Sequence, residues 1–360
     1  MPFSIRSRWT VPAAGATAVA AALVISPMVA DAAPSLPPRT AAELLASTTA
    51  AADHPFSGTV VETARLGLPD LPATGAGSTS LSATSLVTGS HTARVWYAGP
   101  GRSRIALVGD LAESDVIRDG TDAWTWSSAT NTAQHLTLPS ETAKTPAPTS
   151  DLTPAQAATR ALAAIDPTTA VTVEGTASIA GRSAYELVLA PRDAGSLVAQ
   201  VRLALDSVTS TPLRVEVFAR GASKPAFETA FTSITFATPD PAVFAFSPPP
   251  GAKVTEQTMG AAPAGGHHDY AGKVDHAQQP TVVGTGWTSV AVIKGVDLSG
   301  AGGNAQLSTL LRSAKRVSGS YGSGRVITTA LVSALLLDDG RVLVGAVTPA
   351  VLEQAATRAG

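Results

Sequence analysis

The chain has 360 residues, with 25 basic and 27 acidic side chains, a formal charge of −2 and no cysteine. That balance gives no electrostatic footprint for nucleic acid. The missing cysteines exclude a disulfide framework, thiolate catalysis and the usual lipoprotein acylation site together.

Residues 1–32 read as a secretory signal: Arg6 and Arg8 supply a positive start, an uncharged run rich in Ala, Val and Leu extends from Val11 to Ile25, and Pro27 breaks it before Ala30-Asp31-Ala32. The apolar run is shorter than the ~20 residues a spanning helix needs, which argues against a retained anchor. Cleavage after Ala32 or Ala33 leaves a mature protein outside the cytoplasmic membrane. After removal of residues 1–32, 23 basic and 26 acidic side chains remain, for a formal charge of −3. The remaining length suits two domains.

The mature chain opens on Thr40-Ala41-Ala42-Glu43, the spacing of a capping box, followed by Leu44 and Leu45 in an Ala-rich run; a short helix is expected there. Residues 56–138 then alternate short β-type runs with Gly, Pro, Asn and Asp: 59–63, 94–98, 104–108 and 123–126 read as antiparallel strands. Residues 139–150 are a Pro-, Thr- and Ser-rich loop. Thr153-Pro154-Ala155-Gln156 starts a second helix with a cap and a first-turn proline, expected to end near Asp166-Pro167.

Further strands are expected over 183–190, 197–206, 213–220 and 226–236. Their alternation puts Tyr185, Leu187 and Leu189 on one face with Val201, Leu203, Leu205, Leu213, Val215 and Val217, while Arg202, Asp206, Arg214 and Glu216 point the other way. One face is therefore read as dry and the other as wet. Residues 255–283, with Gly, Ala, Gln, Pro and three His, read as a flexible linker. A small α+β domain over 284–360 should contain a strand at 288–296, a helix with Leu307, Leu310, Leu311 and Ala314 at helical spacing, a hairpin of 326–337 with 341–347 around Asp339-Gly340, and a last helix capped by Thr348-Pro349.

Several segments in this order resemble the LolA-like family of lipoprotein carriers. Phe56-Ser57-Gly58-Thr59 looks like that family's first strand, and Trp96-Tyr97-Ala98-Gly99-Pro100 followed by Arg104-Ile105 like its strand, proline turn, strand unit. Asp119-Gly120 with Trp124 is similar to its hairpin carrying a buried tryptophan, and the segment from Phe244 to Val254, with Pro248-Pro249-Pro250-Gly251, to the one that closes its sheet. Residues 284–360 more faintly resemble the small domain of RseB-like (MucB/RseB) envelope-stress regulators. The resemblance implies an α+β architecture: a LolA-like half-open antiparallel β-barrel with covering helices over residues 33–254, a linker, and the small C-terminal domain. It implies a non-enzymatic protein that holds a lipid or the acyl chains of a lipoprotein in an apolar cavity. The alternative it implies is a regulator that binds an anti-sigma factor or another extracytoplasmic segment of a membrane protein. One position departs from the carriers: the basic residue that precedes the proline in them is Gly99 here.

The residues themselves argue for a cavity by a mismatch, because a long sheet with one apolar face has only two short helices to cover it. The expected lining is Val60, Trp96, Ile105, Leu107, Trp124, Trp126, Leu187, Leu189, Leu203, Leu205, Val215 and Val217. Each buried CH₂ of an acyl chain would contribute roughly 0.8 kcal/mol. The competing reading is an ordinary core in which these side chains pack on one another.

No cofactor is expected. His267-His268-Asp269 with His276 has metal-ligand residue types but sits in the linker, where nothing fixes geometry. The glycines from Gly319 to Gly324 lead into a strand rather than a helix, so they read as a turn and not as a phosphate cradle. His54, His91 and His135 lie in separate segments with no partner apparent from spacing.

Overall fold

The computed structural model describes residues 34–50, 54–67, 88–109, 112–139, 153–258, 280–296, 311 and 314–359. The expected signal, most of the expected linker and the helix expected around Leu307 and Leu310 lie outside the described residues.

The larger sheet is built from β1 (Phe56–Arg65), β2 (Thr88–Tyr97), β3 (Arg102–Val108), β4 (Glu113–Asp119), β5 (Asp122–Ser127), β6 (Thr132–Thr137), β7 (Thr169–Ile179), β8 (Arg182–Pro191), β9 (Val198–Asp206), β10 (Pro212–Ala219), β11 (Phe227–Thr235) and β12 (Lys253–Thr258). Its spatial order is β12-β6-β5-β4-β3-β2-β1-β11-β10-β9-β8-β7, so β12 and β7 are its two edges and the sheet is open. Every ladder is antiparallel except the last, where β12 runs parallel to β6. The sheet is therefore mixed, which corrects the expectation of a wholly antiparallel one. The chain must leave β11 and travel across the sheet before it can add a parallel edge strand.

Two helices flank this sheet, α1 (Ala41–Ala50) and α2 (Pro154–Ala163). The capping box forms as its spacing dictates: the Thr40 amide donates to Glu43 Oε2 at 2.7 Å and the Glu43 amide to Thr40 Oγ1 at 3.2 Å. Thr153 caps α2 by accepting from the Gln156 amide, without the reciprocal side-chain bond, and the helix stops at Ala163, short of Asp166-Pro167. At Gly58 a side chain is impossible without rearrangement, because a Cβ there would lie 2.4 Å from the Ser233 carbonyl and 2.9 Å from the Phe231 ring. The β1–β11 ladder is irregular at the next position, between Thr59 and Val60.

The smaller sheet comprises β13 (Thr281–Val283), β14 (Val290–Ile293), β15 (Lys315–Gly319), β16 (Gly322–Thr328), β17 (Ser333–Leu337) and β18 (Val342–Gly345), in the order β13-β14-β18-β17-β16-β15. Helix α3 (Pro349–Arg358) packs Leu352, Ala355 and Ala356 onto Val290, Val292, Leu335 and Leu343. Gly340 takes a φ of +85° at the β17–β18 turn, as the Asp-Gly pair predicts. The run 326–337, expected as one strand, is two. The chain turns at 329–332, where Thr329 Oγ1 accepts from the Leu331 and Val332 amides.

Main-chain hydrogen bonds join the sheets. The Leu197 amide donates to the Ala346 carbonyl and the Thr348 amide to the Gly195 carbonyl, both at 2.9 Å, and the Ala330 amide to the Leu66 carbonyl at 2.8 Å. Trp287 adds a side-chain tie, its indole N–H donating to Thr169 Oγ1 at 2.8 Å.

Candidate functional site

Strand register decides which of the expected lining residues share a face. Val60 pairs with Ala93 and Phe231, Ala93 with Leu107, and Val95 with Ile105. Continuing the pleat through β11, Val217 pairs with Phe227 and Val201, Val215 with Leu203, Leu203 with Leu187, Leu205 with Tyr185, and Leu189 with Val201. Val60, Ile105, Leu107, Leu187, Leu189, Leu203, Leu205, Val215 and Val217 thus lie on one face.

Trp96, Trp124 and Trp126 are on the other. Trp96 pairs with Ser57 and Arg104, Arg104 with Ile117, Ile117 with Trp124, and Trp126 with Asp115. The twelve residues do not share one face, because each tryptophan has the opposite pleat parity to the nine aliphatic residues of the expected lining.

The aliphatic face is divided again. Leu187, Leu189, Leu203, Leu205 and Val215 pack with Leu44 of α1 and Ala158 of α2, and Val217 packs against that group. Its roof is not made of helices alone. Trp287, Leu331 and Ala346 of the C-terminal region pack on the same cluster, and Leu187, Leu189, Leu203 and Leu205 are each 0 % exposed. The mismatch of sheet and helices read from the sequence is met here by turns and connecting segments of the C-terminal region. Val60, Ile105 and Leu107 belong to a separate buried group with Phe56, Val95, Ile179, Leu213 and Phe231, and no helical residue takes part in it.

The face expected to be wet is charged but sheltered. Asp206 is buried with Ala184, Val188 and Ala204, and Glu216 and Arg214 keep 13 % and 23 % side-chain exposure. Arg182 binds both Asp206 oxygens, while Asp206 Oδ1 also accepts from the Val208 and Thr209 amides at 3.1 and 2.7 Å.

The tryptophan face has a different chemistry. Trp96, Trp124 and Trp126 are half-buried. A strap, residues 240–258, leads from a 3₁₀ turn at Pro241–Val243 through Phe244 and Phe246 to β12. Phe246 meets the Trp124 and Trp126 rings at centroid distances of 5.3 and 6.0 Å, and Phe244 is fully buried. Arg104 holds the start of the strap, donating to the Val243 carbonyl at 3.3 Å, and lies 5.5 Å from the Trp96 ring centroid.

Arg104 also binds Asp115 Oδ2 at 2.6 Å, with Glu113 at 3.6 Å. Asp115 Oδ1 and Arg104 Nε are buried without a hydrogen-bond partner. Burial pushes the Asp115 pKa up to about 6, with the Arg104 charge opposing and neighbouring Glu113 adding to it.

At the far end of the strap stands His135, whose partners spacing did not reveal. Its Nδ1 lies 2.7 Å from Glu256 Oε2 and its Nε2 2.8 Å from Asp122 Oδ1, and its ring stacks on Trp124 at 4.1 Å. Register could have found half of this, since β5 and β6 are a hairpin that places His135 opposite Trp124. The Glu256 contact depends on the parallel β12 and has no local signal.

His267, His268, Asp269 and His276 lie outside the described residues. Among the described residues no group of three or more His, Cys, Asp or Glu is arranged to hold a metal, and no helix is long and apolar enough to cross a membrane. A shallow hollow of about 270 Å³ lies between the turns at 98–102 and 119–120, lined by Gly99, Pro100, Arg102 and Asp119. It touches none of the expected lining residues.

No family model and no curated protein matches the chain. Among solved structures it is similar to one described as the complex of Pseudomonas aeruginosa MucA/MucB, at 16 % identity over 88 % of this chain and 96 % of that one, with a TM-score of 0.44. A LolA superfamily protein from Nitrosomonas europaea is 11 % identical over 58 % of this chain and 99 % of its own, with a TM-score of 0.22. LprF from Mycobacterium bovis is 12 % identical over 59 % and 97 %, with a TM-score of 0.30. Likenesses at this level assign no activity.

Proposed function

We propose that this chain is an exported, non-catalytic binding protein of the regulator kind: a half-open barrel with a fixed C-terminal α+β domain, engaging an extracytoplasmic segment of a membrane protein such as an anti-sigma factor. The observation that carries this reading is the roof over the β7–β10 face. An acyl-chain carrier gains its affinity from apolar surface left free for the guest. Here Leu187, Leu189, Leu203 and Leu205 spend that surface on α1, α2, Trp287, Leu331 and Ala346.

What stays accessible is half-buried Trp96 and Trp126 beside Arg104, Asp115 and Glu113, and aromatic and arginine side chains are the ones enriched at protein interfaces. Export rests on the sequence of residues 1–32. The carrier reading, in which the guest is a lipid or the acyl chains of a lipoprotein, keeps one observation in its favour. The group around Val60, Ile105 and Leu107 is enclosed without any helical residue, so strand movement alone could open it.

Native mass spectrometry of protein purified from its own host separates the two. The regulator reading expects the mass of the polypeptide alone, and a photo-crosslinker at Trp126 that captures a membrane protein from detergent extract. A stoichiometric acyl lipid on the purified protein would overturn it in favour of the carrier.

A further inference from the structure

The strap across the tryptophan face ends in an edge strand with little apolar burial of its own. All six residues of β12 are exposed, and the strand is held by its ladder to β6, by Asn131 Nδ2 donating to the Gly251 carbonyl at 2.9 Å, and by Glu256. Glu256 reaches the sheet through one residue, His135, which Asp122 grips from the other side at 2.8 Å. A neutral imidazole carries one N–H and one bare lone pair, so it can donate to only one of two carboxylates and repels the other. Only the imidazolium satisfies both contacts.

We propose that His135 is a pH-sensitive latch: with a proton it ties β12 to the β5–β6 hairpin, and on losing that proton it lets β12 loosen from the sheet edge, while Phe244 keeps the start of the strap in place.

The charged groups around the ring support the assignment. Asp122 of β5 and Glu256 of β12 face it directly. Asp119 of β4 pairs with Asp122 across the turn but is bound by Arg102 at 2.7 Å. On β12, Lys253 alternates to the face opposite Glu256, and neither Trp124, on which the His135 ring stacks, nor Phe246, which packs on Trp124, titrates. Burial lowers the pKa of His135, but the hydrogen bonds and charges of Asp122 and Glu256 outweigh it and the net direction is upward from 6.5. The sign follows: a group with a raised pKa in the docked state favours docking fully below its free value, and that contribution disappears as pH rises through the docked value. Loosening uncovers the outer edge of β6, whose main-chain groups are then open to another extended strand.

Two measurements on the full chain test this. Histidine side-chain NMR locates the His135 titration, and amide hydrogen exchange, corrected for the intrinsic effect of pH, follows β12 across it. The latch requires a titration above 6.5 and a fall in β12 protection of about tenfold for each pK unit of elevation. Glu256→Gln, at a side chain that is 68 % exposed, should lower the His135 titration and shrink the step while leaving the far-UV circular dichroism unchanged. A His135 titration at or below 6.5, flat β12 protection across the titration, or an E256Q variant that titrates like the parent would each overturn it.

Discussion

Two buried aspartate–arginine pairs sit on the same side of the larger sheet, one in each half, and they are finished differently. Asp206, at the β9–β10 turn, and Asp115, in β4, have side chains 1 % and 2 % exposed, and each binds one arginine. Asp206 has both oxygens occupied, by Arg182 and by the amides of Val208 and Thr209. Asp115 has one oxygen on Arg104 and the other without a partner. Burial pushes both pKa values up. For Asp206 the hydrogen bonds from Arg182 and Thr209 overcome burial and hold it below the usual carboxylate range, whereas Asp115 is left at about 6. Similar side-chain exposure therefore goes with opposite electrostatics: donors to both oxygens hold Asp206 down, while Asp115 has one arginine and the charge of Glu113 beside it. In the β7–β10 half the buried Asp206 carboxylate is fully bonded; the β2–β6 half keeps Asp115 Oδ1 and Arg104 Nε unpaired beside half-buried tryptophans, which is where binding surfaces depart from optimal packing.

The strongest way to sharpen that contrast is Asp206→Ala. It removes the acceptor of the turn amides and of Arg182 at once; because Arg182 keeps 31 % side-chain exposure, the loss should be about 2–3 kcal/mol. Urea unfolding should show a correspondingly lower midpoint. The parent should lose the Asp206 contribution as pH falls from 3.8 through its lowered folded value, and the variant should lack that acid-side loss. A variant as stable as the parent would mean that the two halves are not differently built.

A smaller effect is expected at the seam between the sheets. Trp287→Phe keeps the ring on the Leu187 cluster but removes the indole N–H that meets Thr169. Losing one such bond should cost about 1 kcal/mol. Protection of the β7 amides near Thr169 should fall with it, while β3 and β4 amides stay unchanged. Equal changes in both halves would show that the roof is not local to β7–β10.

How much of this could be read from the residues follows from which contacts are local. The dry faces of β8, β9 and β10 were legible because three successive strands alternate strictly, and α1 because its capping box lies within four residues. The roof was not, since Trp287, Leu331 and Ala346 come from three separate places in the C-terminal region that only tertiary docking brings together. Strand β4, Glu-Ser-Asp-Val-Ile-Arg-Asp, carries no apolar alternation that would announce it, yet Ser114, Asp115 and Arg118 are buried. For Trp96 the face is set locally. This residue shares parity with Thr92 and Arg94, while Ala93, Val95 and Tyr97 alternate on the other face, so β2 alone separates it from the aliphatic lining. For Trp124 and Trp126, with Ala123 and Thr125 between them, only the ladder to β4 decides the face.

The smallest stability change at neutral pH, and the most specific one, is expected from Asp115→Asn. Two terms oppose: the amide no longer pays for burying a charge, while Arg104 loses its closest anion and keeps Val243 and the more distant Glu113. The net change at pH 7 should lie within about 1 kcal/mol of zero. The pH dependence separates this site from Asp206. A carboxyl whose folded pKa is raised binds its proton more tightly in the native state, so it favours the fold most below 3.8, and that contribution fades as pH rises to about 6. The parent should therefore carry a downward slope between those values that the Asn variant lacks, opposite in sign to the slope removed by Asp206→Ala. If both substitutions remove slopes of the same sign, Asp115 is as well solvated by its neighbours as Asp206, and the tryptophan face loses the feature that marks it out.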